Sequence, residues 1–402
     1  MTRSTGPLRV LTFTTLYPND AQPNEALFVE QRLQQLRATG EVESRVVAPV
    51  PWFPFGGRSF GRYSVFARVP GHELRGGIAV DHPRYVVLPK VGMNLAPLLL
   101  ARGAWPTVRC LQRLQFDFDV IDAHFYYPDG VAAAILARRL GKPLVITARG
   151  SDINLYRQFA VPRRWLRWAA AQAAASIGVS AALVEAMREL GFPAERLHVL
   201  RNGVDLHRFA PQPRDAARAR LGWHTRTLLS VGHLEEIKGH HLAIEALQGL
   251  PGWQLVIVGS GEWHERLLQI ARQNGVADRV QVVGSVAQQE LPLHYSAADL
   301  LVLASSREGL PNVLLESLAC GTPVIATRVG GSPEVVRAPE AGALLDERSA
   351  AAIMAAVRRF EASPIDREAT QRYSRQFDWG PTIAGLLQVL RSASRPAHST
   401  AT

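Results

Sequence analysis

The sequence predicts an α/β protein made of two doubly wound, Rossmann-like domains facing each other across a cleft. Three observations carry this. Short apolar runs alternate with helix-patterned stretches along most of the chain. Glycine or proline punctuates the joins, as at Gly141-Lys142-Pro143 and Cys320-Gly321-Thr322-Pro323. The alternation pauses once, near 201–226, where Asn202-Gly203-Val204-Asp205 gives way to Pro211, Pro213 and polar residues. Strand–helix alternation builds βαβ units, and these build parallel sheets covered on both faces. The 402 residues suffice for two domains.

In the first half, strands are expected at 8–14, 45–50, 119–123, 143–147 and 176–179, with helices over 26–38 and 129–140. In the second half, strands are expected at 227–231, 254–258, 280–283, 299–303 and 323–326, with helices over 240–248, 262–273 and 312–319. The expected division is an N-terminal domain over 1–200 and a C-terminal domain over 201–375. A helix over 376–391 is expected to cross back to the first domain, followed by a frayed Ser-, Ala- and Thr-rich tail over 392–402. Ligands of such sheets sit beyond the carboxyl ends of the strands.

Composition narrows the class further. Hydrophobic residues at 47% and charged residues at 20% specify a packed core, and exclude disordered, collagen-like and disulfide-scaffold classes. Cys110 and Cys320 are too few and too distant for a metal cluster or a disulfide framework, so a reducing compartment is expected. The apolar start is broken by Thr12, Thr14 and Thr15 and ends in Tyr17-Pro18-Asn19-Asp20; it reads as a first buried strand and not a signal peptide. No apolar run reaches the length of a membrane span. The net charge is +10, and Lys90, Lys142 and Lys238 are the only lysines among 45 basic residues. Such a skew is compositional, so most arginines need no individual role. Residues 1–190 carry 23 Lys+Arg and 14 Asp+Glu, against 22 and 21 in residues 191–402. The excess in the first half points to an anionic partner or surface there.

The most informative stretch runs from Ser305 to Glu316, Ser-Ser-Arg-Glu-Gly-Leu-Pro-Asn-Val-Leu-Leu-Glu. Glu308 falls in the loop after a strand and Glu316 about one turn into the next helix, so both can face one crevice. Carboxylates accept paired hydroxyl hydrogen bonds, and a helix start offers N–H groups to a phosphate. Taken alone, the two residues read as a solvated loop Glu and a helix first-turn Glu.

Their surroundings resemble a known family. Glu308 to Glu316 is similar to the E-x7-E motif of the retaining GT-B glycosyltransferases, family 4. The stretch 318–336, LACGTPVIATRVGGSPEVV, looks like the same family's continuation, as does Asn202-Gly203-Val204-Asp205. Ser230-Val231-Gly232-His233 with Lys238-Gly239 is similar to its strand-loop-helix that carries basic diphosphate ligands. The resemblance spans most of residues 8–390. The stretch TLYPNDAQPNEALFVEQRLQQL looks like a polysaccharide-building branch that includes the teichuronic acid type.

The resemblance implies a nucleotide-sugar donor, a glycan or lipid-linked glycan acceptor, transfer with retention, and a bacterial cell-surface or exopolysaccharide pathway. Negative charge grows on the donor's β-phosphate as the glycosidic bond breaks, so fixed positive charge is needed there. Lys238 is the implied ligand. His233 stands where the family usually has Arg, acting as a neutral donor or as a cation beside the diphosphate; Arg201 is a candidate compensating charge. The resemblance implies Glu316 on the ribose hydroxyls, Glu308 on the donor sugar, and the amides of Gly309 and Leu310 near the phosphates. Gly259, in Gly259-Ser260-Gly261-Glu262, is a nucleotide-loop candidate or simply a tight turn. His124 ends the strand Val120-Ile121-Asp122-Ala123 and is implied to contact the donor sugar; its plain alternative is a buried, satisfied histidine. Arg149 and Asp152 are candidate contacts on the next loop, and Asp152 equally suits a helix cap. The loop after the first strand, 17–26, has no glycine, which puts close backbone approach at Ala26 in question.

Asp117-Phe118-Asp119 reads as D-x-D, but it opens a strand instead of closing one, so no metal or other cofactor is expected. Residues 156–170 interleave Arg163, Arg164 and Arg167 with Trp165, Leu166 and Trp168, and Arg102, Arg109 and Arg113 mark a second basic stretch. These suit peripheral contact with an anionic membrane, against ordinary packing of Trp under wet arginines. No nucleic-acid-binding motif is present, and no nucleic acid partner is expected. A cytoplasmic enzyme is the expectation. Two alternatives stay open: a sugar-nucleotide epimerase on the same fold, and a non-catalytic sugar-nucleotide-binding scaffold.

Overall fold

The computed structural model describes residues 6–23, 25–53, 63–88 and 92–395. The chain divides into two compact units, one of residues up to Arg201 together with those from Gly380 on, the other Asn202–Trp379.

The first unit is built on β1 (Leu8–Phe13), β2 (Val42–Val47), β3 (Val50–Pro51), β4 (His72–Arg75), β5 (Ile78–Asp81), β6 (Arg84–Tyr85), β7 (Val120–His124), β8 (Leu144–Ala148), β9 (Ala175–Gly178) and β10 (Leu197–Val199). Its main sheet runs β10-β9-β8-β7-β1-β2-β5-β4, parallel except for the antiparallel β4–β5 pair, while β3 and β6 form a separate parallel pair. β7, β8 and β9 are buried at every position. Parallel strands covered by helices on both faces are expected to read as continuous apolar runs, and these do. The strand order reverses between β1 and β7, so a crevice opens beyond their carboxyl ends. His124 ends β7, and the loop from Thr14 follows β1.

The second unit comprises β11 (Arg226–Val231), β12 (Trp253–Val258), β13 (Val280–Gly284), β14 (Leu300–Leu303), β15 (Val324–Thr327) and β16 (Gly342–Leu345). All are parallel in the order β13-β12-β11-β14-β15-β16, the strand order of a dinucleotide-binding fold. The core under one face joins Leu228, Ile244, Leu255, Ile257, Val302 and Ile353, all essentially unexposed. The order reverses between β11 and β14, which aims the loops after those two strands at one crevice.

The Asn202-Gly203-Val204-Asp205 stretch gains a physical reading. Val204 bridges Asp378, and its N–H donates to the Phe377 carbonyl at 2.9 Å, so the chain enters the second unit beside where it leaves it. A Cβ on Gly203 would lie 2.7 Å from Trp379, which explains the glycine. Asp205 Oδ1 accepts from the N–H groups of His207 and Arg208.

Several expected boundaries shift. The strand expected at 45–50 is β2 at 42–47, with 50–51 pairing separately. The hairpin β4–β5 and the edge strands β10 and β16 were not foreseen: β4 reads His-Glu-Leu-Arg and carries no apolar run, and β10 has only three residues. The regular helix expected from 129 begins at Val131. The final helix runs Trp379–Ala393, so residues 392 and 393 are helical and not a tail. Residues 396–402 and Lys90 lie outside the described residues, as does Asn24 of the first loop. Ala26, where a glycine was missed, adopts the left-handed conformation (φ 47°) that glycine favours, just before the helix Leu27–Ala38.

Candidate functional site

In the second unit, the loop after β11 passes through Gly232 and His233, makes one 3-10 turn at Glu236–Lys238, and enters the helix His240–Ala246 at Gly239. The loop after β14 leads to the helix Asn312–Ala319. The two loops are stitched together. Gly239 is left-handed, and a Cβ there would lie 2.1 Å from the Ala304 carbonyl oxygen, so only glycine fits. Ser306 N–H donates to Ile237 O at 2.8 Å. The Arg348 guanidinium bonds Ala304 O at 2.9 Å and Glu236 O at 2.8 Å.

This stitching brings Lys238 and Glu308 together. Lys238 Nζ lies 2.7 Å from Glu308 Oε1, and the fully buried Ser305 donates its hydroxyl to the same oxygen at 2.7 Å. Gly330 and Gly331 back the Glu308 loop: a Cβ on Gly330 would lie 2.2 Å from Glu308 O, and Gly331 N–H donates to Gly309 O at 2.7 Å. Among the described residues, no acceptor takes the N–H of Gly309 or Leu310. Those two donors lie just ahead of a helix start, the kind of place where backbone N–H groups can receive an anion.

His233 is exposed, and its ring has no partner among the described residues. Its carbonyl accepts from Glu235 N–H at 2.9 Å and from His240 Nε2 at 3.1 Å. His240 Nδ1 lies 2.8 Å from Ser230 Oγ, and burial pushes its pKa down to about 4, so the ring is neutral near pH 7. With Nε2–H given to His233, Nδ1 accepts from the serine; this tautomer is assigned from the network. Gly259 has a packing reason of its own, because a Cβ there would lie 1.8 Å from Gly232 O.

Glu316 is held apart from the lysine. Its Oε2 accepts from the hydroxyl of Tyr295, a fully buried residue on the helix Leu291–Ala297, at 2.7 Å. Burial pushes the Glu316 carboxyl up to about 7, against the pull of Tyr295 and Arg208.

In the first unit, His124 is only 2% exposed. Arg149 Nη2 donates to His124 Nδ1 at 2.7 Å, and Nε2 lies 3.4 Å from Asp122 Oδ2. A guanidinium can only donate, so Nδ1 is the acceptor and Nε2 carries the hydrogen. Burial pushes the His124 pKa down to about 4. Burial opposes ionisation of Asp122 too, but His124 and Arg32 beside it hold its carboxyl below the usual range. Arg149 also lies over the Phe28 ring at 5.1 Å. Phe125, next to His124, has φ 66°, a strained value for a bulky residue at a candidate site.

The structure places two of the candidates for this unit in closed surroundings. Both ring nitrogens of His124 are engaged, so contact with a sugar requires Arg149 to leave Nδ1. Asp152 is a loop clamp: its carboxylate accepts from the N–H groups of Tyr126 at 2.6 Å, Gly150 at 2.7 Å and Arg149 at 3.0 Å, and it is 1% exposed. Buried against three backbone donors, it is not presented to a ligand. Arg32, missed in the sequence, is buried beside this cluster and donates to Thr147 Oγ1 at 2.9 Å.

Ser305, His240, Tyr295 and Arg348 were also missed. His240 carried a faint signal, a histidine directly after Lys238-Gly239; Tyr295 carried none, since it reaches Glu316 from another helix. The D-x-D residues have partners elsewhere: Asp117 pairs with Lys142 at 2.7 Å, and Asp119 accepts from Arg9 N–H at 2.8 Å. Among the described residues, no group of three or more His, Cys, Asp or Glu is placed to hold a metal ion.

Comparison with known proteins shows the family and the fold. The family description Glycosyl transferases group 1 matches residues 213–377, and Glycosyltransferase Family 4 matches residues 58–208. The chain is 30% identical to TuaC of Bacillus subtilis, named a teichuronic acid biosynthesis glycosyltransferase, over 94% of this chain and 97% of that one. It is 30% identical to D-inositol 3-phosphate glycosyltransferase 1 of Catenulispora acidiphila, over 97% of each. The crystal structure of Anabaena HepE in complex with UDP and glucose matches with a TM-score of 0.74 at 22% identity, covering 96% of this chain and 99% of that one. At that identity the likeness shows the fold.

The Glu316 geometry sets a pH dependence. Its native value of about 7 lies above the ordinary 4.5. Between them the native state holds more protons than the unfolded chain, so stability falls as pH rises through that window. Gln accepts from Tyr295 without that cost. Glu316→Gln is therefore expected to match the parent near pH 4.5 and to exceed it at pH 8 by roughly 1–3 kcal/mol in urea denaturation. Equal stability at pH 8 would contradict this account of Glu316.

Proposed function

The chain belongs to glycosyltransferase family 4, with the GT-B fold, and from that premise we propose that it moves a hexosyl group from a nucleotide-sugar donor to a glycan or lipid-linked glycan with retention of configuration. The observation that carries this reading is the 2.7 Å Lys238–Glu308 pair at the point where the second sheet reverses its strand order. A diphosphate seated there meets the Lys238 ammonium and the free amides of Gly309 and Leu310. His233 adds a donor from the exposed side of the same loop. Lys238 released from Glu308 answers the phosphate, while Glu308 turns to the sugar hydroxyls. Glu316 accepts from the ribose hydroxyls.

In the reaction, the bond between the anomeric carbon and the β-phosphate oxygen breaks, and its electron pair stays on the phosphate. The acceptor hydroxyl oxygen bonds the same face of the anomeric carbon, and its proton passes to the leaving phosphate. Lys238 and the amides stabilise the charge that develops. No metal is invoked, because the diphosphate charge has protein partners. His124 remains the first unit's candidate contact for the transferred sugar. TuaC supports a polysaccharide-building setting, and the UDP-bound HepE structure supports a nucleotide donor.

We also propose peripheral attachment to an anionic membrane on its cytoplasmic side. The helix Ala160–Gln172 buries Pro162, Leu166, Ala169 and Ala170, and exposes Arg163, Arg164 and Arg167. Phe159 and Val161 at its start are exposed beside those arginines, the mixed face that an interfacial helix presents. No helix among the described residues is long and apolar enough to cross a membrane. Replacing the three arginines with Glu is expected to abolish co-sedimentation with phosphatidylglycerol vesicles; unchanged co-sedimentation would remove this helix as the anchor.

The transferase reading is tested by hydrolysis and transfer with UDP-, GDP- and ADP-sugars, in EDTA. One donor class is expected to react, giving the retained anomer by NMR. Lys238→Ala should lower kcat by about 10²–10³-fold. No reaction with any donor would favour a non-catalytic scaffold, and an inverted product would refute the same-face reaction.

A further inference from the structure

One peptide group organises the loop that carries Lys238. It joins His233 to Leu234, and both its ends are held. The Leu234 N–H donates to Ser260 O, on the loop after β12, at 3.0 Å. The His233 carbonyl accepts from Glu235 N–H at 2.9 Å and from His240 Nε2 at 3.1 Å. Trp263 N–H donates to the Leu234 carbonyl at 2.9 Å, which ties the next peptide to the same neighbouring loop.

His240 reaches the His233 carbonyl from the other side of the lysine. It opens the helix His240–Ala246 directly after Gly239, and it is 1% exposed. Its Nδ1 lies 2.8 Å from Ser230 Oγ on β11, and the same hydroxyl lies 3.2 Å from Val302 O on β14. The ring therefore spans from the two central strands of the sheet to the loop. A carbonyl can only accept, so Nε2 carries the hydrogen, and a neutral ring then accepts from Ser230 at Nδ1. Burial, helped by the Lys238 charge, keeps the ring neutral. The lysine leans on the same backbone. A Cβ on Gly232 would lie 3.7 Å from Lys238 Cδ and 3.8 Å from its Cε, so the lysine stem runs along the residue just before His233. After the lysine, Gly239 is pressed on Ala304, and the His240 bond joins this fixed helix start back to the segment before it.

We infer that His240 is a positioning residue for the donor's diphosphate: its Nε2–H fixes the His233 peptide, and with it the place from which the His233 ring and the Lys238 ammonium meet the phosphates. Buried, it touches no phosphate itself. Losing the ring hydrogen frees the peptide to turn and weakens binding through Lys238. This rests on the glycosyltransferase reading and adds to it the residue that orders its diphosphate contacts.

The test uses the full chain. Long-range nitrogen–proton NMR reads the ring directly: near pH 7, His240 is expected neutral with its hydrogen on Nε2, and a hydrogen on Nδ1 alone would overturn the assignment. Calorimetric titration of UDP, GDP and ADP shows which diphosphate the parent binds. His240→Leu removes both ring bonds, and His240→Asn keeps an amide near Ser230 but stops short of the His233 carbonyl. Each is expected to weaken that binding about five- to tenfold. His240→Gln, whose amide reaches the carbonyl, should restore it to within about twofold. In a Lys238→Ala background the His240→Asn change should cost less than about twofold, because its effect passes through the lysine. Melting curves are read for every variant, and the Asn and Gln variants carry the comparison if the Leu variant does not fold. Asn binding as tightly as the parent, Gln binding as weakly as Asn, or an equal loss with and without Lys238 would overturn the inference. A parent that binds no diphosphate and hydrolyses no donor sinks the transferase reading and this role with it, whereas a binding parent with indifferent variants sinks His240 alone.

Discussion

A lysine and a glutamate form an ion pair where the second sheet reverses its strand order, and much of that unit is arranged to keep them there. Gly239 lets the Lys238 turn press on Ala304. Arg348 ties both loops, Ser305 orients the Glu308 oxygen, and Gly330 supports the loop from behind. The pair balances two part-buried charges, and without it Lys238 would lose its carboxylate while Glu308 would keep only the Ser305 hydroxyl. A nucleoside diphosphate brings stronger negative charge to the same ammonium. On the proposed reading, the pair is both a structural closure and a contact that the donor exchanges for its own.

The first unit uses a different device. Its histidine is not poised in the open; it lies between a guanidinium and a carboxylate, neutral through burial, with strained backbone directly after it. Asp152 spends its whole carboxylate on the loop that carries Arg149. Arg149 thus occupies Nδ1 of His124, and under the proposed sugar-contact role that nitrogen becomes available only once the arginine leaves it.

The second unit was the more legible in the sequence. Glu308, Glu316 and Lys238 lie in short local motifs, and their strands are continuous apolar runs with period and punctuation intact. What escaped depends on contacts between distant segments. Tyr295 reaches Glu316 from another helix, Arg348 crosses more than a hundred residues to reach Glu236, and the β4–β5 hairpin has too little apolar content to announce itself. Asp152 shows the limit of motif reasoning: its type and position suited a ligand or a helix cap equally, and it is buried against three backbone N–H groups. Ala26 shows the converse, since the left-handed turn formed without the glycine that would make it easy.

The central claim is that Lys238 must trade Glu308 for phosphate. Calorimetric titration of UDP, GDP and ADP into the parent protein and Glu308→Gln tests it most directly. With the competing carboxylate gone, the cognate diphosphate should bind Glu308→Gln more tightly, by several-fold to about tenfold. Unchanged or weaker binding of every diphosphate would show that Glu308 does not hold the lysine in competition with the donor.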